Sequence, residues 1–441
     1  MCEESPDIRT SGVYCILGRR RWPLPGPPEP LGMGNETKKV QRSAVRCTSC
    51  GGQEADADIL GKLGSGVDTF VIEQFDSIAC IPRAEWDCLA GSDATASHGW
   101  WLAVENGLRT PVRRMYLTAR DTEGLAGAMV CRIDEHPGTW SSLDAVLFGR
   151  LAGFARRIGI SAMPALVCGL DSGTSGPVLL RPALSEAAAR GVAADLIDRA
   201  GSLASSRSWT VCFRSVAPSS AAAGLFRDRG YLAAVEMPVA CLELKWNAFD
   251  DYRQYMRRVR PNLAKEIRWE RNRGRRRGLA IEPVQDLAGC RDEVFGVMNA
   301  HFLRVGRTPF PFKPGFFESL KSFLGERMTL LAARAGGELL GVLLMVRSGE
   351  CAHLPMIGVD RARGRAAAVY FNLGYNHPIE AAITAGCKRL YFGRSLSNIK
   401  RRRGCEMIER LMYLKAPGVM WNRALAALLP LRTWAITRNW A

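Results

Sequence analysis

The sequence lacks the features of a membrane-spanning or secreted protein. It has no uninterrupted apolar run long enough to cross a bilayer, and its first five residues, MCEES, begin no apolar signal segment. Many of its cysteines stand singly in apolar segments, as Cys80, Cys168, Cys241 and Cys351 do, which indicates buried thiols rather than a disulfide framework. These absences predict a cytoplasmic protein.

Three groups of binding or catalytic motifs are also missing. Cys47 and Cys50 have CxxC spacing, but no second pair lies near them, so we predict no metal site. The Gly/Ser loop over 170–176 matches neither a P-loop nor a GxGxxG motif, and we predict a simple turn there. No GxSxG motif is present, so the sequence shows no serine nucleophile of that kind.

Acidic residues are few relative to basic ones. The chain has 43 Asp and Glu against 60 Lys and Arg, which gives a net charge of +17. Such a balance favours an anionic partner. The charge alone leaves three classes of partner open, namely nucleic acid, a nucleotide cofactor and an anionic membrane surface.

The composition and the order of patterns predict an α/β protein of several parts. At 441 residues the chain is long enough for two or three domains. Its 47% of apolar residues is typical of a globular protein. The leader over 1–65 is predicted to be disordered, because its proline-rich part, 23–34, suits neither a helix nor a strand ladder. Alternating strand and helix patterns predict one domain over 66–246 and another over 247–416. An amphipathic helix over 417–441 either packs on the body or lies on a membrane surface.

The second domain ends in the pattern of a βαβ unit with a basic turn. The predicted elements are a strand over 353–358, a turn over 360–365, a helix over 366–385 kinked at Pro378, a strand over 389–392, a cation-rich loop over 394–404 and a strand over 407–414. Units of this kind bind ligands at the C-terminal ends of their strands. The start of the helix, flanked by Arg361, Arg363 and Arg365, is therefore a predicted anion site.

A second conspicuous stretch, 249–278, has the pattern of two basic helices. Apolar residues keep helical spacing, and Pro261 suits the first turn of the second helix. Only Glu266 and Glu270 oppose the cations of the other face between Arg253 and Arg277, so a phosphate-binding face and a merely solvated surface are both open. The residues predicted to bind nucleic acid are Arg257, Arg258, Lys265, Arg268, Arg271 and Arg275.

Three features of these stretches resemble those of a known superfamily. They are a strand end at 244–246 followed by the basic helices, a helix with the run YFNLGY at 370–375 that ends at Gly386, and a strand with the run LYFGR at 390–394 followed by Lys400 and Gly404. In them the chain resembles the GNAT superfamily of N-acyltransferases, and within it the Fem-like, peptidoglycan-biosynthesis branch. The likeness covers about residues 68–416. It implies two tandem GNAT-like domains, each a mixed sheet flanked by helices, the second one catalytic.

The resemblance implies transfer of an acyl group to an amine acceptor, without a permanently bound cofactor. Fem-like relatives use aminoacyl-tRNA, whereas other GNAT enzymes use acyl-CoA or an acyl carrier protein. The turn over 360–365 fits the acetyl-CoA pattern, Q/R-x-x-G-x-G/A, only in part, and the broad basic surface favours tRNA. Acyl-CoA remains the alternative donor. A second alternative is a catalytically degenerate GNAT that binds RNA or a membrane.

The candidate site residues follow from the same patterns. His353, in a strand expected to line the cleft, is a candidate base; Tyr375 is a candidate proton donor, and Asn372 is a weaker option. A buried packing role is the alternative for each of them. The residues predicted to bind the donor, or else to form a solvated loop, are Arg361, Arg363, Gly364, Arg365, Gly393, Arg394, Lys400, Arg403 and Gly404.

Overall fold

The computed structural model describes residues 70–135, 142–170, 174–306, 308–395 and 397–438. In these residues the chain forms two mixed β-sheets flanked by helices, which confirms the predicted α/β fold class. The predicted leader and its Cys47–Cys50 pair lie outside the described residues.

The strands are β1 (Val71–Phe75), β2 (Arg114–Asp121), β3 (Gly124–Asp134), β4 (Ala165–Cys168), β5 (Leu179–Leu180), β6 (Thr210–Val216), β7 (Leu232–Val235), β8 (Val239–Glu243), β9 (Ala280–Pro283), β10 (Met328–Ala335), β11 (Glu338–Ser348), β12 (Cys351–Val359), β13 (Arg389–Tyr391), β14 (Glu406–Ile408) and β15 (Leu411–Lys415).

The helices are α1 (Arg83–Ala90), α2 (His98–Gly107), α3 (Leu143–Phe148), α4 (Ala152–Arg157), α5 (Glu186–Ser205), α6 (Ala221–Asp228), α7 (Phe249–Val259), α8 (Pro261–Arg276), α9 (Arg291–Gly306), α10 (Phe316–Leu324), α11 (Arg361–Gly364), α12 (Val369–Phe371), α13 (His377–Thr384), α14 (Ser397–Arg402) and α15 (Val419–Arg438). A π-helix, Asn372–Asn376, joins α12 to α13, and short 3₁₀ turns cover Ile78–Cys80, Ala94–Ala96, Gly149–Leu151 and Gly325–Arg327.

The two sheets exchange strands. The first has the order β1-β2-β3-β4-β6-β15-β7, with β5 beside β3; the second has the order β14-β8-β13-β12-β11-β10-β9. Strand β8 precedes the predicted boundary at 246 yet pairs with β13 and β14, while β15 returns from the end of the chain to pair with β6 and β7. The prediction of a single strand over 407–414 is therefore wrong, because this segment forms two strands, β14 and β15, that lie in different sheets.

Strand β11 has the sequence of a strand covered on both faces. Its run ELLGVLLMVRS is almost continuously apolar, as expected where both faces of a sheet are buried. Val342, Leu344 and Val346 point into one core, which α1, α2, α9 and α10 help to form, whereas Leu343 and Met345 point into the core beneath α7, α8 and the π-helix. The second sheet thus separates two apolar layers.

The two basic helices form as predicted, with Pro261 as the first residue of α8. Their apolar residues, among them Tyr252, Met256, Leu263 and Ile267, are buried against the second sheet. The predicted helix over 366–385 is interrupted instead by the π-helix, and Pro378 lies in the first turn of α13. Proline is tolerated in the first turn of an α-helix.

The C-terminal helix α15 packs on α3. Leu425 and Leu429 are buried in one cluster with Leu143 and Leu147. The Arg432 Nε donates to the backbone oxygen of Val146 at 3.2 Å. None of the helices among the described residues is both long and apolar enough to cross a bilayer.

His301 ties α9 to the end of β12. Its Nδ1 accepts a hydrogen bond from the backbone N–H of Val359 at 3.2 Å, and Arg304 lies at the same distance from that nitrogen. Burial, reinforced by the charges of Arg304 and Arg361, lowers the pKa of His301 to about 4. The imidazole is therefore neutral in the folded protein at neutral pH.

We expect acidification from about pH 6.5 to about pH 5 to lower the free energy of unfolding, because the unfolded chain binds a proton at His301 that the folded chain excludes. At about 1.4 kcal/mol per pKa unit, this residue should account for a loss of about 2 kcal/mol. Urea unfolding at several pH values, followed by tryptophan fluorescence, measures the effect.

The matched variant is His301→Gln, whose side-chain oxygen can still accept a hydrogen bond from Val359. Burial also lowers the pKa values of His353 and His377, so the variant should reduce the pH dependence without abolishing it. If the free energy of unfolding depends on pH equally in the wild type and in His301→Gln, His301 is not the group responsible.

Candidate functional site

Strands β12 and β13 run parallel over a short length and then part. Residues 351–353 pair with residues 389–391, after which β12 continues to Val359 without a strand on that side among the described residues. The segment that follows β13 leaves the sheet at Gly393, whose φ of +70° is readily adopted only by glycine. The open edge of β12 therefore lies at the C-terminal end of a parallel strand pair, where α/β folds bind ligands.

His353 lies where the two strands separate. Its Nε2 is 3.3 Å from the backbone oxygen of Ser92 and must donate the proton, since a carbonyl only accepts. Its Nδ1 has no hydrogen-bond partner and lies 4.0 Å from Oδ1 of Asp93. The ring stacks on Tyr391, with 4.8 Å between centroids. Burial lowers the pKa of His353, so the side chain is a neutral imidazole with a free lone pair at neutral pH.

Asp93 is a buried carboxylate held by hydroxyl groups. Its Oδ1 accepts from the backbone N–H and the hydroxyl of Thr95, at 2.9 and 2.6 Å. Its Oδ2 accepts from the hydroxyls of Thr174 and Ser175, the latter at 2.7 Å. The described part of the Gly/Ser loop, for which we predicted only a turn, thus anchors the carboxylate that faces His353.

A second buried carboxylate, Glu236, links the two sheets. Its Oε1 lies 2.9 Å from both Arg214 and Arg394, and its Oε2 accepts from the backbone N–H of Ser215 at 2.7 Å. Burial by itself raises the pKa of Glu236, but the two arginines and the N–H lower it to about 2. Arg394, predicted to bind the donor, is therefore paired within the protein.

Arg410 completes this group of polar residues. It donates to the backbone oxygen of Thr174 at 3.0 Å, and burial and the charge of Arg394 lower its pKa. We name the group the junction cluster; its members are Asp93, Thr174, Ser175, Arg214, Ser215, Glu236, His353, Tyr391, Arg394 and Arg410.

A cavity of about 280 Å³ adjoins the junction cluster at Ser215 and Arg410. It lies beyond the C-terminal end of β6, between α5 and α6, and its wall is mostly apolar, with Leu180, Ala193 and Leu225. The position is again the C-terminal end of a parallel pair, since β6 runs parallel to β4.

Sequence reasoning missed Asp93, Glu236, Tyr391 and Arg410, because they come from separate segments that only the fold brings together. One local signal exists. Glu236 is a single carboxylate in the apolar run LAAVEMPVA, and a lone charge in such a run indicates a buried ion pair.

The predicted anion site at residues 361–365 already holds a carboxylate. Asp360 accepts from the backbone N–H groups of Ala362 and Arg363, both at 3.0 Å, and from the Arg363 side chain at 2.7 Å. Arg361 lies over the ring of Tyr370, and Gly364 is buried against Val369. Arg361 and Arg365 are exposed and have no ion pair with a described residue.

Arg363 nevertheless lines a second cavity, of about 270 Å³, together with Arg277, Glu338, Ala366 and Ala367. Arg277 follows α8, so this cavity joins the basic helix to the loop after β12. An ion pair of 3.2 Å links Arg363 to Glu338.

Lys400 and Gly404 are used in packing, whereas a Cβ at Gly393 would have no atom within 4 Å. Lys400 is buried, and its Nζ donates to the backbone oxygens of Phe392 and Gly393 at 2.6 and 3.2 Å. Burial lowers the pKa of Lys400 to about 8. Gly404 has a φ of +89°, and a Cβ there would lie 2.7 Å from Met256 Cε. The loop folds onto the protein rather than extending towards a ligand.

Arg403 is the centre of a buried polar network beneath the π-helix. Its guanidinium, 2% exposed, contacts Glu270 at 2.5 Å and the Asn376 side-chain oxygen at 2.8 Å. Asn376 donates to Glu270 and to Asn372, and Asn372 donates to the backbone oxygen of Glu270 at 2.8 Å. Every charge in this network is compensated, so it can hold α8, the π-helix and the loop after α14 together.

Tyr375 belongs to the same core as this network. Its ring stacks on Phe392, its hydroxyl is 3.3 Å from that of Tyr370, and burial raises its pKa. The neighbours of His353 in β12, Ala352 and Leu354, point into this core, so His353 points to the opposite face of the sheet. The structure therefore does not bring the predicted base together with Tyr375 or Asn372.

The predicted nucleic-acid surface divides into exposed and paired cations. Arg271 pairs with Glu380 at 2.9 Å. The other predicted residues, Arg257, Arg258, Lys265, Arg268 and Arg275, are exposed and have no ion pair with a described residue. On α8 the exposed cations surround Trp269, which is 54% exposed and has Arg273 over its ring.

Comparison with known proteins identifies the class of this protein. The FemAB-like family, described as peptidoglycan biosynthesis/recognition, matches residues 77–424. The chain belongs to this family, which confirms the Fem-like resemblance seen in its sequence. No curated protein matches the chain.

Solved structures similar to this chain cover most of its length. They include L-PGS from Bacillus licheniformis, with 13% identity, 81% of this chain and 97% of that chain covered, and a TM-score of 0.47. They also include FemX, with 11% identity, 81% and 99% covered, and a TM-score of 0.48. A tandem GNAT protein from the clavulanic acid biosynthesis pathway shows 12% identity, 79% and 99% covered, and a TM-score of 0.42.

The neighbours Arg402 and Arg403 provide a matched test of the loop. Arg403→Ala should lower the free energy of unfolding by about 3 to 5 kcal/mol, because it leaves the Glu270 carboxylate buried without its partner. Arg402 forms an exposed pair with Glu266, so Arg402→Ala should cost less than about 1 kcal/mol. Urea unfolding of both variants measures the difference.

The double variant Arg403→Met/Glu270→Gln should recover part of the loss, since no uncompensated charge remains. If Arg403→Ala is as stable as Arg402→Ala but binds the acyl donor less tightly, the network is not structural and the original assignment of Arg403 to donor binding holds.

Proposed function

We propose that the protein is an N-acyltransferase that moves an aminoacyl group from aminoacyl-tRNA to the amine of a small molecule or peptide. Membership of the FemAB-like family supports the reaction class. The observation that carries the choice of donor is the exposed basic face of α8, with Trp269 in its centre.

This face suits RNA for two physical reasons. Lys265 and Arg268 lie about one helical turn apart, and Arg275 about two turns further along the same side of α8, so they can contact phosphates along a nucleic-acid backbone. Trp269, exposed between them, offers a ring on which an unpaired base can stack.

The basic face ends beside the loop that follows β12. Arg273 donates to the backbone oxygen of Ala366 at 2.8 Å, and Arg277 lines the cavity that Arg363 also lines. An RNA bound along α8 would thus have its end near the C-terminal end of the central parallel strands. In this proposal Arg363 and Arg365 contact the donor there.

The chemistry requires a neutral amine and protonation of the leaving oxygen. The amine attacks the ester carbonyl carbon, an amide bond forms, the ester C–O bond breaks, and the released ribose hydroxyl takes up the proton that the amine loses. We assign the base to His353, because its Nδ1 lone pair is free beside the open edge of β12. Asp93, 4.0 Å away, would stabilise the imidazolium that forms. Tyr375 and Asn372 act through the packing of the π-helix in this proposal.

A second candidate donor is acyl-CoA. The observation that favours it is the cavity beside Arg277 and Arg363, which offers two guanidinium groups to a diphosphate without needing the rest of the basic face. In that case the exposed cations of α8 would be a solvated surface.

Charge reversal on α8 separates the two donors. Lys265→Glu/Arg268→Glu should weaken binding of aminoacyl-tRNA and reduce the slope of log K against log salt by about 2, since about one phosphate contact is lost per residue. Filter binding at several salt concentrations measures the slope. Arg199→Glu/Arg207→Glu, on the exposed side of α5 and just after it, makes the same change in net charge and should leave the slope intact.

If both double variants show the same slope of log K against log salt, α8 is not the surface that binds tRNA. Retention of an acyl-CoA by the purified protein would then favour the second donor, whereas RNA binding without any transfer to an amine would favour the catalytically degenerate alternative.

His353→Gln should reduce transfer of a labelled amino acid from charged tRNA to a pool of amines by about 100-fold or more, with tRNA binding unchanged. In the wild type, the rate should fall as the pH drops below the pKa of His353, which burial places below the ordinary 6.5. The variant should lose this acid limb.

His377→Gln is the control, because His377 is also a partly buried neutral histidine but lies on α13, away from the junction cluster. If both variants lose activity equally, or if His353→Gln keeps the acid limb, His353 is not the base.

A further inference from the structure

We infer that α4 and α15 form a surface that docks on an anionic phospholipid bilayer. This inference does not depend on the proposed acyl transfer or on its donor. It rests on the placement of exposed apolar side chains and of charge around two neighbouring helices.

Large apolar side chains are exposed along one side of α4. Leu151, Phe154 and Ile158 are 67%, 62% and 55% exposed. Leu151 and Ile158 flank α4, and spacings of three and four residues place all three on one side of it, while the small residues Ala152 and Ala155 are buried. No described residue covers this stripe, which is therefore open to a partner.

A second stripe lies on α15. Leu431 and Trp434 are 67% and 60% exposed, and Arg438 lies 5.2 Å over the Trp434 ring. Val419 and Met420 at the start of the helix are also exposed. The two stripes belong to one region of the molecule, because α15 packs on α3 and α4 follows α3 after a single 3₁₀ turn.

The exposed charged side chains of these two segments are all positive. Between residues 143 and 160 and between 418 and 438 the only acidic residue is Asp144, which is 1% exposed, bonded to Ser161 and Ala162, and paired with Arg156 at 3.8 Å. The exposed cations are Arg156, Arg157, Arg423 and Arg438.

Exposed apolar residues flanked only by arginines favour an anionic lipid surface over a protein partner. Leu, Phe and Trp side chains can enter the boundary between headgroups and acyl chains, while the arginines contact lipid phosphates. A tryptophan with a cation over its ring suits this interface, because the indole is apolar on its faces and polar at its N–H. An apolar protein interface would instead leave Arg157, Arg423 and Arg438 without acidic partners among the described residues.

Vesicle flotation of the full chain tests the inference. The protein should bind vesicles of equal parts phosphatidylglycerol and phosphatidylcholine, and bind phosphatidylcholine alone much less. Phe154→Ser/Trp434→Ser should reduce the partition coefficient by about tenfold, and so should Arg157→Glu/Arg423→Glu.

Two controls distinguish this surface from others. Leu303→Ser/Val305→Ser removes two exposed apolar residues from α9 and should leave binding unchanged. Lys265→Glu/Arg268→Glu tests whether the basic face of α8 binds the vesicles instead. Loss of binding with this last variant, but not with the α4 and α15 variants, would overturn the inference.

The oligomeric state supplies the remaining outcome. If the wild type is a dimer in solution and Phe154→Ser/Trp434→Ser converts it to a monomer, the two stripes form an interface between copies of the chain and the lipid surface is refuted. Because all the substituted side chains are exposed, we expect each variant to fold. Circular dichroism of each variant checks this.

Discussion

The pairing of Glu236 with Arg214 and Arg394 is the contact on which the arrangement of the two sheets depends. Glu236 lies between β7 and β8, where the chain leaves one sheet for the other, and its two arginines come from different sheets. A buried carboxylate without a partner is strongly unfavourable, so both arginines must reach it in the folded state. The strand exchange and this ion-paired group therefore stabilise each other.

The junction cluster is a consequence of this exchange. Because β15 returns to the first sheet, Arg410 lies beside Thr174 and near Arg394, and the Gly/Ser loop reaches Asp93 opposite His353. A neutral imidazole and a carboxylate from separate parts of the chain thus face each other, and Ser215 and Arg410 of the same cluster also line the apolar cavity.

The basic residues have two distinct roles. Lys400 and Arg403 are buried, Arg394 is partly buried, and all three are bonded to carboxylates or backbone oxygens, so they stabilise the fold and give no free charge to a ligand. The cations along α8, and those of α4 and α15, are exposed and can attract anionic partners by long-range electrostatics. Within the described residues, these exposed cations therefore lie on surfaces away from the buried networks.

Local patterns in the sequence were sufficient for the α/β class, the two basic helices divided at Pro261 and the Fem-like family, since periodicity, proline placement and short motifs depend on neighbouring residues. They could not show that residues 407–414 form two strands of different sheets. Nor could they show that the Asp360 carboxylate occupies the turn predicted to bind an anion, or that Asp93 faces His353. Each of these depends on contacts between residues far apart in the chain, and no local pattern carries that information. Burial, which only the complete fold establishes, also separates the paired Arg403 from its exposed neighbour Arg402.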